Sequence, residues 1–219
     1  MRSLLAILST ALSTLALAQQ PRMELLRAPL ENQAFLAGAQ SLSTFQSVAN
    51  ENNYRQLGFK NLSEVKNARL GVPLPVFMVR LDDLRAYRSG TDPRTLLRDL
   101  NTVVFPVFVN DEVKSSVTVE KRNDRWQGTS FGAPMLARAF ESVRKADASA
   151  NNLSPQAYAM VHVAALNRHY LAHRSGTRLM LTPIIDDPAL RLRAGRSVPA
   201  EQVFLALVPI ARRHNGAPS

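Results

Sequence analysis

Three of the four histidines in this chain fall in HVAALNRHYLAH, at positions 162, 169 and 173. Imidazoles that converge can hold a metal such as zinc, or can move protons in catalysis. Whether these converge depends on the local secondary structure. On a helix, His169 and His173 sit one turn apart and His162 two turns before His169, all to one side. In a strand, His169, Leu171 and His173 share a face at about 7 Å per two-residue step, and His162 belongs to a separate segment.

The letters support both readings. Ser154-Pro155 is a good helix cap and first position, and the following alanines and leucines favour a helix. Equally, Tyr158, Met160 and His162 alternate as a strand does. His169 to Leu181 reads as a hairpin turning at Ser175-Gly176. The metalloprotease pattern His-Glu-x-x-His is missing its base, because Val163 follows His162 and Tyr170 follows His169. The metal assignment therefore rests on His162, His169 and His173 alone, and locally hydrogen-bonded histidines are the simpler expectation.

Other chemistry has less to build on. Ser130 in GTSFG lacks the Gly-x-Ser-x-Gly arrangement of a nucleophile elbow. Asp82-Asp83 and Asp186-Asp187 suit turns and caps. No glycine run of the phosphate-binding type is present, and no cofactor is implied. A hydrolase acting on an envelope or extracellular substrate would need a histidine beside Asp or Glu in a pocket.

The first residues, MRSLLAILSTALSTLALAQQ, pair an early arginine with an apolar stretch and end in Ala16-Leu17-Ala18. That pattern predicts a signal peptide over residues 1–18 and a periplasmic or secreted protein. Ser and Thr interrupt the stretch, and no later segment is apolar enough for stable membrane insertion. The chain has no cysteine, so disulfides and thiolate metal sites are excluded. An exported protein without disulfides fits a bacterial envelope.

Net charge is +10. A basic surface favours acidic partners, here another protein or an anionic envelope component. The arginines are scattered, so no specific nucleic-acid site is indicated. Adhesion to an anionic surface is a further alternative. Nothing in the sequence sets the oligomeric state.

The elements that must position these residues read as follows. Residues 19–30 form a flexible N-terminal segment. Residues 31–57 are helical, with Phe35, Leu36, Leu42, Phe45 and Val48 among the apolar positions. Strands are expected over 75–81 and 103–109, the second at an edge or bulge because of Pro106. Asp92-Pro93 opens a short helix over 95–100. Val113, Ser115, Val117 and Val119 alternate with polar neighbours as a half-exposed strand, and a turn at Asn123-Asp124 leads into a strand over 126–131. A helix follows Pro134, with Met135, Leu136, Phe140 and Val143 on its apolar side. Residues 146–152 read as a linker, with a lobe boundary at 146–154. Further strands are expected over 178–184 and 203–210.

Helices and strands in this order predict an α+β domain over 31–219, with helices packed on a mostly antiparallel sheet and two helix-plus-strand lobes as one form of it. The expected role is a non-catalytic binding, chaperone-like or inhibitory module. Such modules bind through a sheet edge. The candidate surface is the meander over 113–131, with Lys114, Arg122, Arg125 and Trp126.

Overall fold

The computed structural model describes residues 28–215, so the segment read as a signal peptide, residues 1–18, lies outside the described residues. The fold is α+β, with helices packed against a mostly antiparallel sheet. In chain order the helices are α1 (Ala28–Val48), α2 (Leu62–Lys66), α3 (Leu81–Ala86), α4 (Pro134–Asn151) and α5 (Ala200–Arg213). The strands are β1 (Arg69–Leu70), β2 (Leu74–Val79), β3 (Leu97–Val109), β4 (Glu112–Arg122), β5 (Arg125–Gly132), β6 (Ala159–Val163), β7 (Arg168–Ser175), β8 (Arg178–Pro183) and β9 (Val198–Pro199).

All nine form one sheet in the order β5-β4-β3-β2-β6-β7-β8-β9, with β1 paired to β3. Every pairing is antiparallel except β2 with β6. That parallel pair joins two meanders, and it needs a crossover. Helix α4 supplies it. The stretch read as a linker, 146–152, is the last turns of this helix, which ends at Asn152 in a left-handed conformation. The sheet is continuous across the expected lobe boundary.

Three apolar clusters bind the helices to the sheet. Phe45 and neighbours on α1 pack on Val103, Phe105, Val107, Val117 and Val119. On the same face, Val203, Phe204 and Leu207 of α5 and Leu84 of α3 cover Phe77, Val79, Val161, Tyr170 and Leu181. Phe140 and Val143 of α4 cover the opposite face, over Leu74, Val76, Met160 and Leu171. Leu and Phe side chains buried in this way each contribute about 1.5–3 kcal/mol.

Several expectations are corrected. Residues 203–210 are not a strand; they lie inside α5. The buried positions Ala200, Val203, Phe204, Leu207, Val208 and Ala211 recur at helical spacing, and Glu201 and Arg212-Arg213 sit at the ends that suit the helix dipole. The first helix starts at Ala28, within the expected N-terminal segment, and ends at Val48 rather than 57. A 3-10 turn at Pro93–Leu96 replaces the helix over 95–100, and β3 begins at once after it. Met135 is exposed rather than part of the apolar side of α4. The strand over 113–119 is not half-exposed: α1 covers Val117 and Val119, while Lys114 and Ser116 on the remaining positions are also buried. Of the edge or bulge expected from Pro106, the edge is not found, because β3 is an interior strand, while the β3–β4 register shifts one residue on, between Val107 and Phe108. The Pro106 carbonyl accepts from Gly71 N at 2.7 Å, so its missing N–H faces the same side, where residues 71–73 separate the stretch of β3 paired with β1 from the stretch paired with β2.

Candidate functional site

The segment 162–173 is strand, not helix. His162 on β6 lies opposite His169 on β7, and the rings stack with centroids 4.1 Å apart and planes 11° apart. The His169 carbonyl accepts from Ile184 N on the β8 side, at 3.5 Å. Its N–H must point the same way, so His162 and His169 are a non-hydrogen-bonded pair, the closer type of cross-strand neighbour. The edge of Phe140 from α4 abuts His169 at 6.3 Å. Burial lowers the pKa of both imidazoles. For His169 it falls to about 4, through burial first and the neighbouring His162 second. Both rings are therefore neutral near pH 7, with lone pairs on their unprotonated nitrogens.

His173 lies four residues further along β7 on the same face, and its surroundings differ. It is 1% exposed, and its ring is tilted against Tyr158 at 5.3 Å. Its Nδ1 is 3.5 Å from Asp147 Oδ1, within ion-pair range, but makes no hydrogen bond. Burial pulls its pKa down and the Asp147 carboxyl pulls weakly the other way. The three histidines thus divide into an adjacent pair and a separate residue beneath α4. Among the described residues no three of His, Cys, Asp and Glu are grouped to hold a metal ion.

Asp147 is the hub of that second place, and sequence reasoning missed it. Its carboxyl accepts from Tyr158 Oη at 2.9 Å, Thr182 Oγ1 at 3.0 Å and Asn151 Nδ2 at 2.8 Å. Thr182 Oγ1 also lies 3.1 Å from Ser197 Oγ. The network ties α4 to β7, β8 and the loop before β6. One turn earlier on α4, buried Arg144 donates to the Val72 carbonyl at 2.9 Å and pairs with Glu141. Asp147 is 4% exposed and His173 1%, so this His–carboxyl meeting is sealed from solvent.

The four residues expected to meet a partner are not equivalent. Lys114 is buried, with ion pairs to Glu112 at 2.6 Å and Glu64 at 3.4 Å. The hydrogen bond to Glu112 raises its pKa. It is the extra residue where the β3–β4 register shifts, and its carbonyl projects toward Gly58: a Cβ there would lie 1.9 Å from that oxygen. Lys114 therefore holds the bulge to α2. Trp126 is partly buried against the core under α1. Arg122 pairs with Glu120 at 2.7 Å, and Arg125 is exposed. Only the two arginines remain at the surface of the meander tip.

Strand β5 is the outer strand of the sheet, paired with β4 on one side. Among the described residues nothing pairs with its other side. The turn at Asn123 and Asp124 has φ of 49° and 59°, the type I′ geometry of a two-residue hairpin. Arg122 and Arg125 are then a hydrogen-bonded pair, and the alternation turns the backbone groups of Trp126 and Gly128 outward. The α1 side of β5 is fixed: Phe45 stacks on Phe131 at 5.1 Å, and α1 approaches so closely that a Cβ on Gly128 would lie 2.1 Å from Ser41 Oγ. Only glycine leaves room for this approach.

An open groove of about 850 Å³ runs between the β3–β4 turn and α4. Its lining combines the cations Lys60, Arg138 and Lys145 with the acids Asp111, Glu112 and Glu141 and the apolar Phe108 and Val113.

Fold and surfaces together define an α+β protein whose nine-stranded sheet ends in a braced strand with no neighbour on its outer side among the described residues. Comparison with protein-family models, with curated proteins and with solved structures finds no match. Among the described residues no helix is long and apolar enough to cross a membrane.

Proposed function

We propose that this is an exported, non-catalytic binding protein that takes an extended segment of another protein along the outer edge of β5. The observation that carries the reading is the edge itself: eight residues, outward backbone groups and no strand beside them among the described residues. Strand addition draws affinity from main-chain hydrogen bonds and specificity from alternate side chains. Bracing by Phe45 and Ser41 keeps the edge in strand geometry before binding, which lowers the ordering cost. Exposed Arg125 favours acidic residues in the partner segment. Export is supported by the pattern of residues 1–18 and the absence of cysteine. A hydrolase built on His173 and Asp147 would have to open a place that α4 closes.

The test is selection of extended peptides on the immobilised protein, followed by amide exchange. A bound peptide should slow exchange at Trp126 and Gly128, and Arg125→Glu should weaken binding of acidic peptides. Protection confined to Arg138–Lys145, or no peptide binding at all, would refute the edge reading. Mass spectrometry of exported protein should find residues 1–18 removed; retention of Met1 would reject the export half.

A further inference from the structure

Beside α4, its face of the sheet carries a line of side chains across three adjacent strands. Met78 on β2 lies beside His162 on β6 in the parallel pair, and His162 lies opposite His169 on β7. Directly paired residues present their side chains on the same side of a sheet, with neighbouring strands about 4.8 Å apart. All three residues are half-buried, so the line is neither sealed in the core nor freely solvated. One thioether and two imidazoles thus stand side by side.

We propose that Met78, His162 and His169 form a binding site for monovalent copper. Thioether and imidazole together are a soft donor set, which suits Cu(I) rather than hard cations that need carboxylates. Cu(I) accepts few ligands, so three side chains are enough without a fourth protein group. The chain has no cysteine, so no thiolate within it competes for the ion. The nearest cation in register, Arg98 beside Met78, is paired with Asp83 at 3.0 Å, which blunts its repulsion. Phe140 flanks His169 and limits water on the α4 side.

Stacked rings direct their lone pairs side by side rather than at one another. Coordination therefore requires the two imidazoles to hinge out of the stack. That gives the site a signature of its own: metal binding abolishes the mutual ring-current shift of His162 and His169. His173 takes no part, because it lies four residues away against Asp147.

The experiment is an anaerobic titration of the full chain with Cu(I) against a chromogenic competing chelator, with Zn(II) in parallel. Methionine methyl and histidine ring resonances are followed by NMR. The expected result is one equivalent of Cu(I) bound. Met78 methyl and both rings should shift, and Met78→Leu, His162→Gln and His169→Gln should each lower affinity tenfold or more. Met78→Leu keeps side-chain size, so its thermal melt should match the parent. If a histidine variant fails to fold, the wild-type resonances decide. The proposal is overturned if no stoichiometric binding occurs, if Met78→Leu binds as the parent does, or if the shifts appear at His173 or another methionine instead.

Discussion

Replacing Asp147 with alanine should cost about 2.5–5.5 kcal/mol of stability, and the sum follows from the partners left behind. Tyr158 is 1% exposed and its hydroxyl donates to this carboxyl. Stranding a buried donor costs about 1–3 kcal/mol. Thr182 retains Ser197 at 3.1 Å, and Asn151 retains the Asp147 backbone carbonyl at 3.0 Å, so each loses less, roughly 0.5–1 kcal/mol. The vacated volume adds about 1 kcal/mol. Alanine returns about 0.5 kcal/mol through helix propensity. In urea the midpoint should fall by roughly 1–2 M at unchanged slope. Asp147→Asn keeps the shape and one acceptor, and the hydroxyls can reorient toward its amide, so it should lose only about 1 kcal/mol. Tyr158→Phe on the parent should lose about 1–2 kcal/mol, but on Asp147→Ala little or nothing, because the stranded hydroxyl is gone. Additive losses in this cycle, or an alanine variant within 1 kcal/mol of the parent, would refute the hub as described.

Three further outcomes follow from the packing and the titrating groups. Gly128→Ala should destabilise by about 1–3 kcal/mol through overlap with Ser41, and Ser41→Gly should recover part of the loss in chemical denaturation. The His169 pKa, lowered to about 4 from the ordinary 6.5, means the unfolded chain takes up more protons between those values. Stability should fall as pH drops from about 6.5 to 4, and His169→Gln should flatten the slope of melting temperature against pH in that window; an unchanged slope would exclude His169 as its source. Arg85 reaches from α3 to the last carbonyls of α5, donating to Ala211 at 3.0 Å and to His214. Arg85→Ala should cost about 1–2 kcal/mol in denaturant and speed amide exchange at the end of α5.

How far such sites could be read in advance depended on whether their partners were near in sequence. The meander was legible because alternation over 113–119 and a two-residue turn at Asn123-Asp124 are local signals, and the hairpin at Ser175-Gly176 likewise. The apolar run of 203–210 was ambiguous. Its letters fit a buried strand, and only the wider window from Ala200 to Ala211 shows steps of three and one. Asp147 was invisible for a different reason. Its partners stand 4, 11 and 35 residues away, and a polar residue among alanines and asparagines reads as solvent-facing until the helix is known to lie over β7 and β8.

The same physics explains why the histidines divide as they do. A strand gives each residue a face but not a depth. His162, His169 and His173 all point to the α4 side, yet α4 crosses the sheet obliquely, from β4 toward β7. Where it crosses, His173 is sealed against Asp147 and Tyr158, and chemistry there would have to displace a helix held by Phe140, Val143 and Arg144. Beyond its edge, His162 and His169 stay half-exposed beside Met78. The spacing of seven and four therefore carried less information than the strand pairing. Non-hydrogen-bonded opposition on β6 and β7 brought two rings into contact, and one oblique helix separated the third. An ion added at the exposed pair should leave the His173–Asp147 contact unchanged, whereas loss of Asp147 should loosen α4 without changing which ring His162 faces.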